Sequence, residues 1–232
     1  MFPQARQLRW DSDTTTGKFD ANAMLKKFRS READILIGTQ MIAKGLDIPA
    51  VTLVGVVNAD SALNLPDFRA VERTFQLLTQ VAGRAGRGPL GGRVIVQTRA
   101  PDHHAIVHAS GHDVRGFVEA ELRERRDPPY PPHVRLANVV LSGKDERTVA
   151  RAADGLGEWL RALLAARPDV HATVLGPAPC PIERVRDRWR WHLLVKADDD
   201  AGLTRLAGYL VARAPVPVGA RLVVDRDPAS LL

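Results

Sequence analysis

Apolar residues recur along the chain in two rhythms, and the change from one to the other divides it. Ile35-Leu36-Ile37 and Val51 to Val57 are short runs that are apolar almost throughout, and Arg93 to Thr98 is a third short run with Val94-Ile95-Val96 at its centre. Runs of this kind read as strands covered on both faces, and with helices between them they predict a parallel sheet. Residues 5–10 predict one more short strand, ahead of a polar turn from Asp11 to Gly17. Met24, Leu25 and Phe28 predict a helix over 21–31 with Asp20 as its N-cap. Phe68, Val71, Phe75, Leu78 and Ala82 recur at spacings of three and four, the mark of one buried face on a helix over 66–82. A further helix is expected from about Asp102 to Arg126, bent at Gly111 and Gly116.

The second rhythm follows a break. Asp127 to His133 holds four prolines and reads as a stiff linker. Beyond it, Val134 to Leu141 is a strand and Glu146 to Arg167 a helix, with Val149, Ala152, Leu156, Trp159 and Leu163 on one face. Strands at 171–175 and 189–196, a helix over 203–214 and a strand at 221–225 complete the order β-α-β-β-α-β, the ferredoxin-like split motif. The expected architecture is an α/β domain over 1–126, a linker over 127–133 and a small α+β domain over 134–232.

Composition adds bounds. At 232 residues the chain has room for two small cores. No apolar run reaches spanning length and the first residues lack the apolar stretch of a signal peptide, so a cytoplasmic chain with no membrane partner is expected. The lone Cys180 forms neither an internal disulfide nor a cysteine-cluster zinc site. A net charge of +6 favours an anionic partner, nucleic acid first among them.

The candidate chemistry gathers at three places. In Gln80-Val-Ala-Gly-Arg-Ala-Gly-Arg87, Gly83 and Gly86 end the preceding helix and let the backbone turn tightly, while Arg84 and Arg87 project from it. Two guanidiniums on such a turn suit a terminal phosphate; they equally suit a solvated basic helix end. In Gly38-Thr39-Gln40-Met-Ile-Ala-Lys-Gly45-Leu46-Asp47, a glycine and a hydroxyl directly after a strand can bring N–H and Oγ groups against a phosphate. Asp47 can accept from ribose hydroxyls, and each feature also occurs in ordinary turns. Around Arg188-Trp-Arg-Trp191, a strand puts Trp189, Trp191, Leu193 and Val195 on a core face. Arg188, Arg190, His192 and Lys196 fall on the other, either against DNA phosphates or as a solvated basic edge. His104, His108 and His112 recur at i, i+4 and i+8, a spacing that aligns three imidazoles only on an unbroken helix; Gly111 weakens it there.

With these residues in place, the chain resembles the second RecA-like lobe of superfamily 2 helicases, whose motifs V and VI match 38–47 and 80–87. The more specific resemblance is to the primosomal protein N′ family of replication-restart helicases. It rests on Gly-Thr-Gln-Met-Ile-Ala-Lys-Gly at 38–45, Val-Thr-Leu-Val at 51–54, Asp60, Pro-Asp-Phe-Arg-Ala-Val-Glu-Arg at 66–73, Tyr-Pro-Pro at 130–132 and Arg-Trp-Arg-Trp at 188–191. Leu46 and Ile48 depart from that family's usual His and Phe. The resemblance implies a RecA-like lobe followed by a DNA- or partner-binding domain. Arg84 and Arg87 would be arginine fingers, Gln80 would couple nucleotide state to the interlobe cleft, and Gly45 and Asp47 would face ATP. Thr39 and Gln40 would face the tracked DNA strand, with Arg188, Arg190 and Lys196 as further DNA contacts.

It further implies 3′→5′ translocation on branched forks and single strands, with primosome proteins and the replicative helicase or its loader as partners. No Gly-x-x-x-x-Gly-Lys-[Ser/Thr] string and no Asp-Glu-x-His-type string is present. The phosphate cradle and the Mg²⁺ ligands would therefore come from the first lobe, which this sequence lacks, as it lacks the family's zinc-binding cysteines. Such a chain is expected not to hydrolyse ATP alone. The alternatives are a fragment of another superfamily 2 helicase and a non-catalytic nucleic-acid-binding adaptor.

Overall fold

The computed structural model describes residues 3–10, 18–39, 48, 50–83 and 91–232. The chain divides into two compact units: residues 1–64 with 71–117, and residues 65–70 with 118–232.

In the first unit, strand β1 (Gln7–Trp10) pairs in parallel with β2 (Ile35–Gly38), and helix α1 (Lys18–Arg29) connects them. The helix begins two residues before Asp20, which is therefore inside it and not its cap. Arg6 bridges the pair: its guanidinium donates to both Asp34 oxygens at 2.8 and 3.0 Å and its N–H to Oδ2 at 2.9 Å. Those hydrogen bonds pull the Asp34 carboxyl down to about 2.

A second parallel pair joins β3 (Leu53–Val56) to β4 (Arg93–Val96). Between them lie the short helix α2 (Asp60–Leu63) and helix α3 (Ala70–Ala82). Asp60 accepts from Thr98 Oγ1 at 2.5 Å and from the Arg99 N–H at 2.9 Å, so it fastens the end of β4 to the start of α2. Two helices follow, α4 (His104–Ser110) and α5 (Val114–Glu124), where one bent helix was expected. The break falls at 111–113, with His112 at φ +51°. Gly116 leaves room there for two side chains: a Cβ would lie 2.1 Å from Asp113 Oδ2 and 2.5 Å from His108 Cε1, so those side chains would have to shift. Val56, Ala59, Phe75, Leu78, Val96, Ala105, Ile106, Ala109 and Phe117 form this unit's core, with the Phe75 and Phe117 rings stacked 3.9 Å apart.

The second unit has the expected β-α-β-β-α-β order. Strands β5 (Arg135–Gly143), β6 (Ala172–Val185), β7 (Arg188–Ala197) and β8 (Ala220–Arg226) form one antiparallel sheet in the order β6-β7-β5-β8. Helices α6 (Glu146–Ala165) and α7 (Asp200–Arg213) cover one face. Asp145 and Asp199 cap them, accepting from the Thr148 and Gly202 N–H groups at 2.7 Å each. Ala137, Val139 and Leu141 of β5 meet Leu193, Val195 and Ala197 of β7 and Val149, Ala153, Leu156 and Leu160 of α6 in one apolar core. The buried face of α6 is thus rotated from the expected one. Ala152, Trp159 and Leu163 flank the core, while Ala153 and Leu160 sit in it. Strand β6 is much longer than expected, running through Pro177, Pro179 and Pro181, and turns into β7 at Arg186 and Asp187 (φ +50° and +60°).

Candidate functional site

A strand's side chains alternate between faces, so filling one face of the second unit's sheet with helices leaves the alternate set on the other. The register places that second set in rows across three strands. Ser142 stands between Arg190 and Arg221, Val140 between His192 and Val223, Asn138 between Leu194 and Asp225, and Lys196 beside Leu136. Arg188 adds to the basic end of the sheet. Its Nη2 donates to the Ser142 carbonyl at 2.9 Å and its Nε lies 3.5 Å from Ser142 Oγ. Arg190 Nη1 reaches the Ile182 carbonyl at 3.4 Å. Each of these guanidiniums has more donors than those contacts use, so both remain able to bind an anion. Arg184 lies over the Trp189 ring, 5.4 Å from its centroid.

His192 Nδ1 lies 3.0 Å from Asn138 Oδ1. Burial, helped by the charge of Arg190, pushes the His192 pKa below its ordinary value, so the ring is neutral near pH 7.

Lys196 is a correction. It was expected on the same DNA-facing row as Arg188 and Arg190, and it does share their side of the strand. It is nevertheless only 5% exposed, with its ammonium 3.5 Å from the centroid of the Tyr130 ring. Burial lowers its pKa. A lysine held in this way is a packing group with a cation–π partner and not a phosphate contact. The expected tryptophan face is also split: Trp191 packs against the core, whereas Trp189 lies outside that cluster, beneath Arg184. Cys180, 1% exposed with its thiol pKa raised by burial, is a small core residue. Arg221 was missed in the sequence. Nothing about a lone arginine in a last strand signals its position until the register sets it beside Ser142, opposite Arg190.

In the first unit, Gln80 occupies the last turn of α3, which closes as the Gly83 N–H bonds the Thr79 carbonyl at 3.0 Å. Phe75, Leu78 and Val81 on the same helix are buried, and this anchoring orients its C-terminal end. Thr39 directly follows β2 and is exposed. Gln40, Gly45, Asp47, Arg84 and Arg87 lie outside the described residues. The expected helix over 66–82 begins only at Ala70. Asp67 Oδ1 accepts from the Arg69 N–H at 2.9 Å, a local turn that competes with helix, and Phe68 consequently lies before α3. His104, His108 and His112 do not share a helical face, since α4 ends at Ser110. His108 Nδ1 pairs with Asp113 Oδ2 at 3.0 Å. Among the described residues, no group of three or more His, Cys, Asp or Glu side chains is placed to hold a metal ion, and no helix is long and apolar enough to cross a membrane.

Comparison with known proteins matches both halves of this arrangement. Residues 10–89 match the model of the helicase conserved C-terminal domain, and residues 126–229 that of the primosomal protein N C-terminal domain. The chain is 44% identical to the replication restart protein PriA of Bacillus subtilis (strain 168) over 206 residues, 89% of this chain and 25% of that protein. It is 46% identical to that of Synechocystis sp. over 195 residues, 84% of this chain and 23% of the relative. Against Treponema pallidum the identity is 39% over 232 residues, all of this chain and 35% of the relative. The chain therefore spans about a quarter to a third of the length of the curated relatives it matches. Residues 10–89 and 126–229 thus match the helicase conserved C-terminal domain and the primosomal protein N C-terminal domain in turn, and nearly the whole chain is similar to part of the replication restart protein PriA.

Proposed function

We propose that this chain supplies the second motor lobe and the C-terminal DNA-binding domain of an ATP-dependent 3′→5′ helicase that acts on stalled forks and helps reload the replicative helicase. Its identity to relatives named replication restart protein PriA, over nearly the whole chain, carries this reading. Arg84 and Arg87 are its arginine fingers, Gln80 couples nucleotide state to the interlobe cleft, and Gly45 and Asp47 face the nucleotide. ATP and Mg²⁺ are held jointly with a first lobe that brings the phosphate cradle and the metal ligands. Thr39 and Gln40 face the tracked strand. Arg188 and Arg190, joined by Arg221, bind backbone phosphates, which gives affinity with little choice of sequence. Lys196 has no part in that contact.

The test is fluorescence anisotropy of the purified chain on a labelled fork across a salt series. Binding should weaken steeply with salt, and Arg188→Ala with Arg190→Ala should each reduce the log–log slope by about 1. ATP turnover should appear only on addition of a lobe bearing the phosphate cradle. Failure of fork, duplex and single strand alike to bind at low salt would sink the DNA assignment.

A further inference from the structure

The segment Leu65–Ala70 does not group with its neighbours in sequence. Residues on both sides of it belong to the first unit, yet it clusters with residues 118–232. Its contacts within that second unit are specific. Asp67, 8% exposed, accepts on Oδ2 from Ser230 Oγ at 2.7 Å and from the Leu231 N–H at 3.0 Å. Leu231 and Pro228 are themselves buried. A buried carboxylate is costly unless donors surround it, and here residues from the far end of the sequence supply them.

Phe68 adds an aromatic column. Its ring stacks on Tyr130 at 5.6 Å and 8°, and the guanidiniums of Arg69 and Arg125 lie 5.3 and 5.5 Å from its centroid. Arg125 is fixed in turn by Glu121 Oε1 at 2.8 Å, in a pair whose side chains are both nearly buried, and by the Pro131 carbonyl at 3.1 Å. Tyr130 receives the Lys196 ammonium, and Lys196 lies on β7, the strand of Arg188 and Arg190.

We infer that Leu65–Ala70 is a handle by which the C-terminal unit holds the start of α3, with Asp67 and Phe68 as its positioning residues. One route of direct contacts runs from β7 through Lys196, Tyr130 and Phe68 to the residues that open α3. Covalent continuity along that helix then leads to Gln80. The Pro-Asp-Phe-Arg string is thereby assigned to linking the DNA-side sheet with the helix that precedes the Gly-Arg-x-Gly-Arg turn, and not to nucleotide contact. The function of this link rests on the reading above; the handle itself does not.

Hydrogen–deuterium exchange of the whole chain tests both parts. In Phe68→Ala and in Asp67→Ala, amides 67–74 should exchange about tenfold faster, while amides 136–141 of β5 keep their protection and so report an intact second unit. Phe68→Tyr should restore slow exchange. Unchanged exchange at 67–74 in both alanine variants overturns the handle. The second arm adds a saturating single-stranded thymidine oligonucleotide. It should slow exchange at 67–74 in the unaltered chain and in Phe68→Tyr but not in Phe68→Ala, although all three bind the oligonucleotide equally by anisotropy. Slowing that survives in Phe68→Ala overturns the link. An oligonucleotide that does not bind overturns the DNA reading and with it the link, while the first arm still decides the handle.

Discussion

The two units treat the two faces of their strands differently. In the ferredoxin-like sheet, α6 and α7 cover one face, and the face left over carries Arg188, Arg190, His192, Asn138 and Arg221. In the helicase-type unit, Val56 and Val96 pack inward, but apolar side chains are also left open: Leu53 of β3 is 57% exposed, Ile95 of β4 54%, and Val57, just past the end of β3, 80%. One sheet separates its chemistry from its core. The other is apolar on both sides, the sequence signature of strands that expect cover on each face. A core closed on itself should melt as its own transition, and the first unit should be the weaker.

Five changes sharpen or break that contrast, taken here from the largest effect down. Leu193→Ala empties a fully buried site at the centre of the second unit and should cost about 2–5 kcal/mol. Because three of the four tryptophans, Trp159, Trp189 and Trp191, lie in that unit and only Trp10 in the first, the loss should appear as a lower urea midpoint of the main tryptophan-fluorescence change. The matching change Phe75→Ala should bring an earlier loss of helical circular dichroism together with the Trp10 share of the fluorescence change, and leave the larger fluorescence transition of the second unit in place. A single merged transition in both variants would show that the units unfold together.

Gly143→Ala comes next. A Cβ there would lie 2.7 Å from Val149 Cγ2 and 2.9 Å from the Gly219 carbonyl oxygen, and the backbone atom cannot swing away. A cost of about 1–3 kcal/mol is expected, confined to the fluorescence transition.

Arg221→Ala tests the open face and not the core. The fluorescence midpoint should hold while the salt slope of DNA binding falls by about 1, as for its neighbour Arg190. A slope that does not move would remove Arg221 from the proposed phosphate contact.

The smallest effect concerns the exposed Arg6–Asp34 pair. Its hydrogen bonds hold the Asp34 carboxyl at about 2, below its ordinary value of 3.8. A group whose folded pKa is depressed contributes stability that is complete above its unfolded pKa and is lost as pH falls towards the folded one. Asp34→Asn should therefore flatten the acid limb of the first unit's stability between pH 4 and pH 2 and change little at pH 7. Solvent screening keeps the amplitude small.

Much of this fold is legible in the sequence, and the gaps have physical causes. The β-α-β-β-α-β order can be read because each element is long enough for its period to show. The extent of β6 cannot, since Pro177, Pro179 and Pro181 argue against a strand. They are tolerated because β6 lies at the edge of the sheet, a matter of topology and not of local sequence. The late start of α3 is hidden because the Asp67 turn onto the Arg69 N–H is held from outside as well, by Ser230 and Leu231 more than 160 residues away. Lys196 shows the same limit: alternation gives its side of the strand correctly but says nothing of Tyr130 lying across it. Arg188 and Arg190 were recognisable as a pair from their spacing alone, whereas Arg221 needed the strand register.

The proline-bearing edge has a bearing on how this protein behaves in a crowded solution. A sheet grows by offering its outermost N–H and C=O groups to another chain, and a long edge strand such as β6 would ordinarily be a template for that growth. Three of its positions have no N–H to offer, and its register shifts twice against β7. At the opposite edge, β8 presents Arg221 and Asp225 outward. Both borders of the sheet are thus poor seeds for aggregation, which lets an exposed basic face coexist with high local concentrations of the same chain.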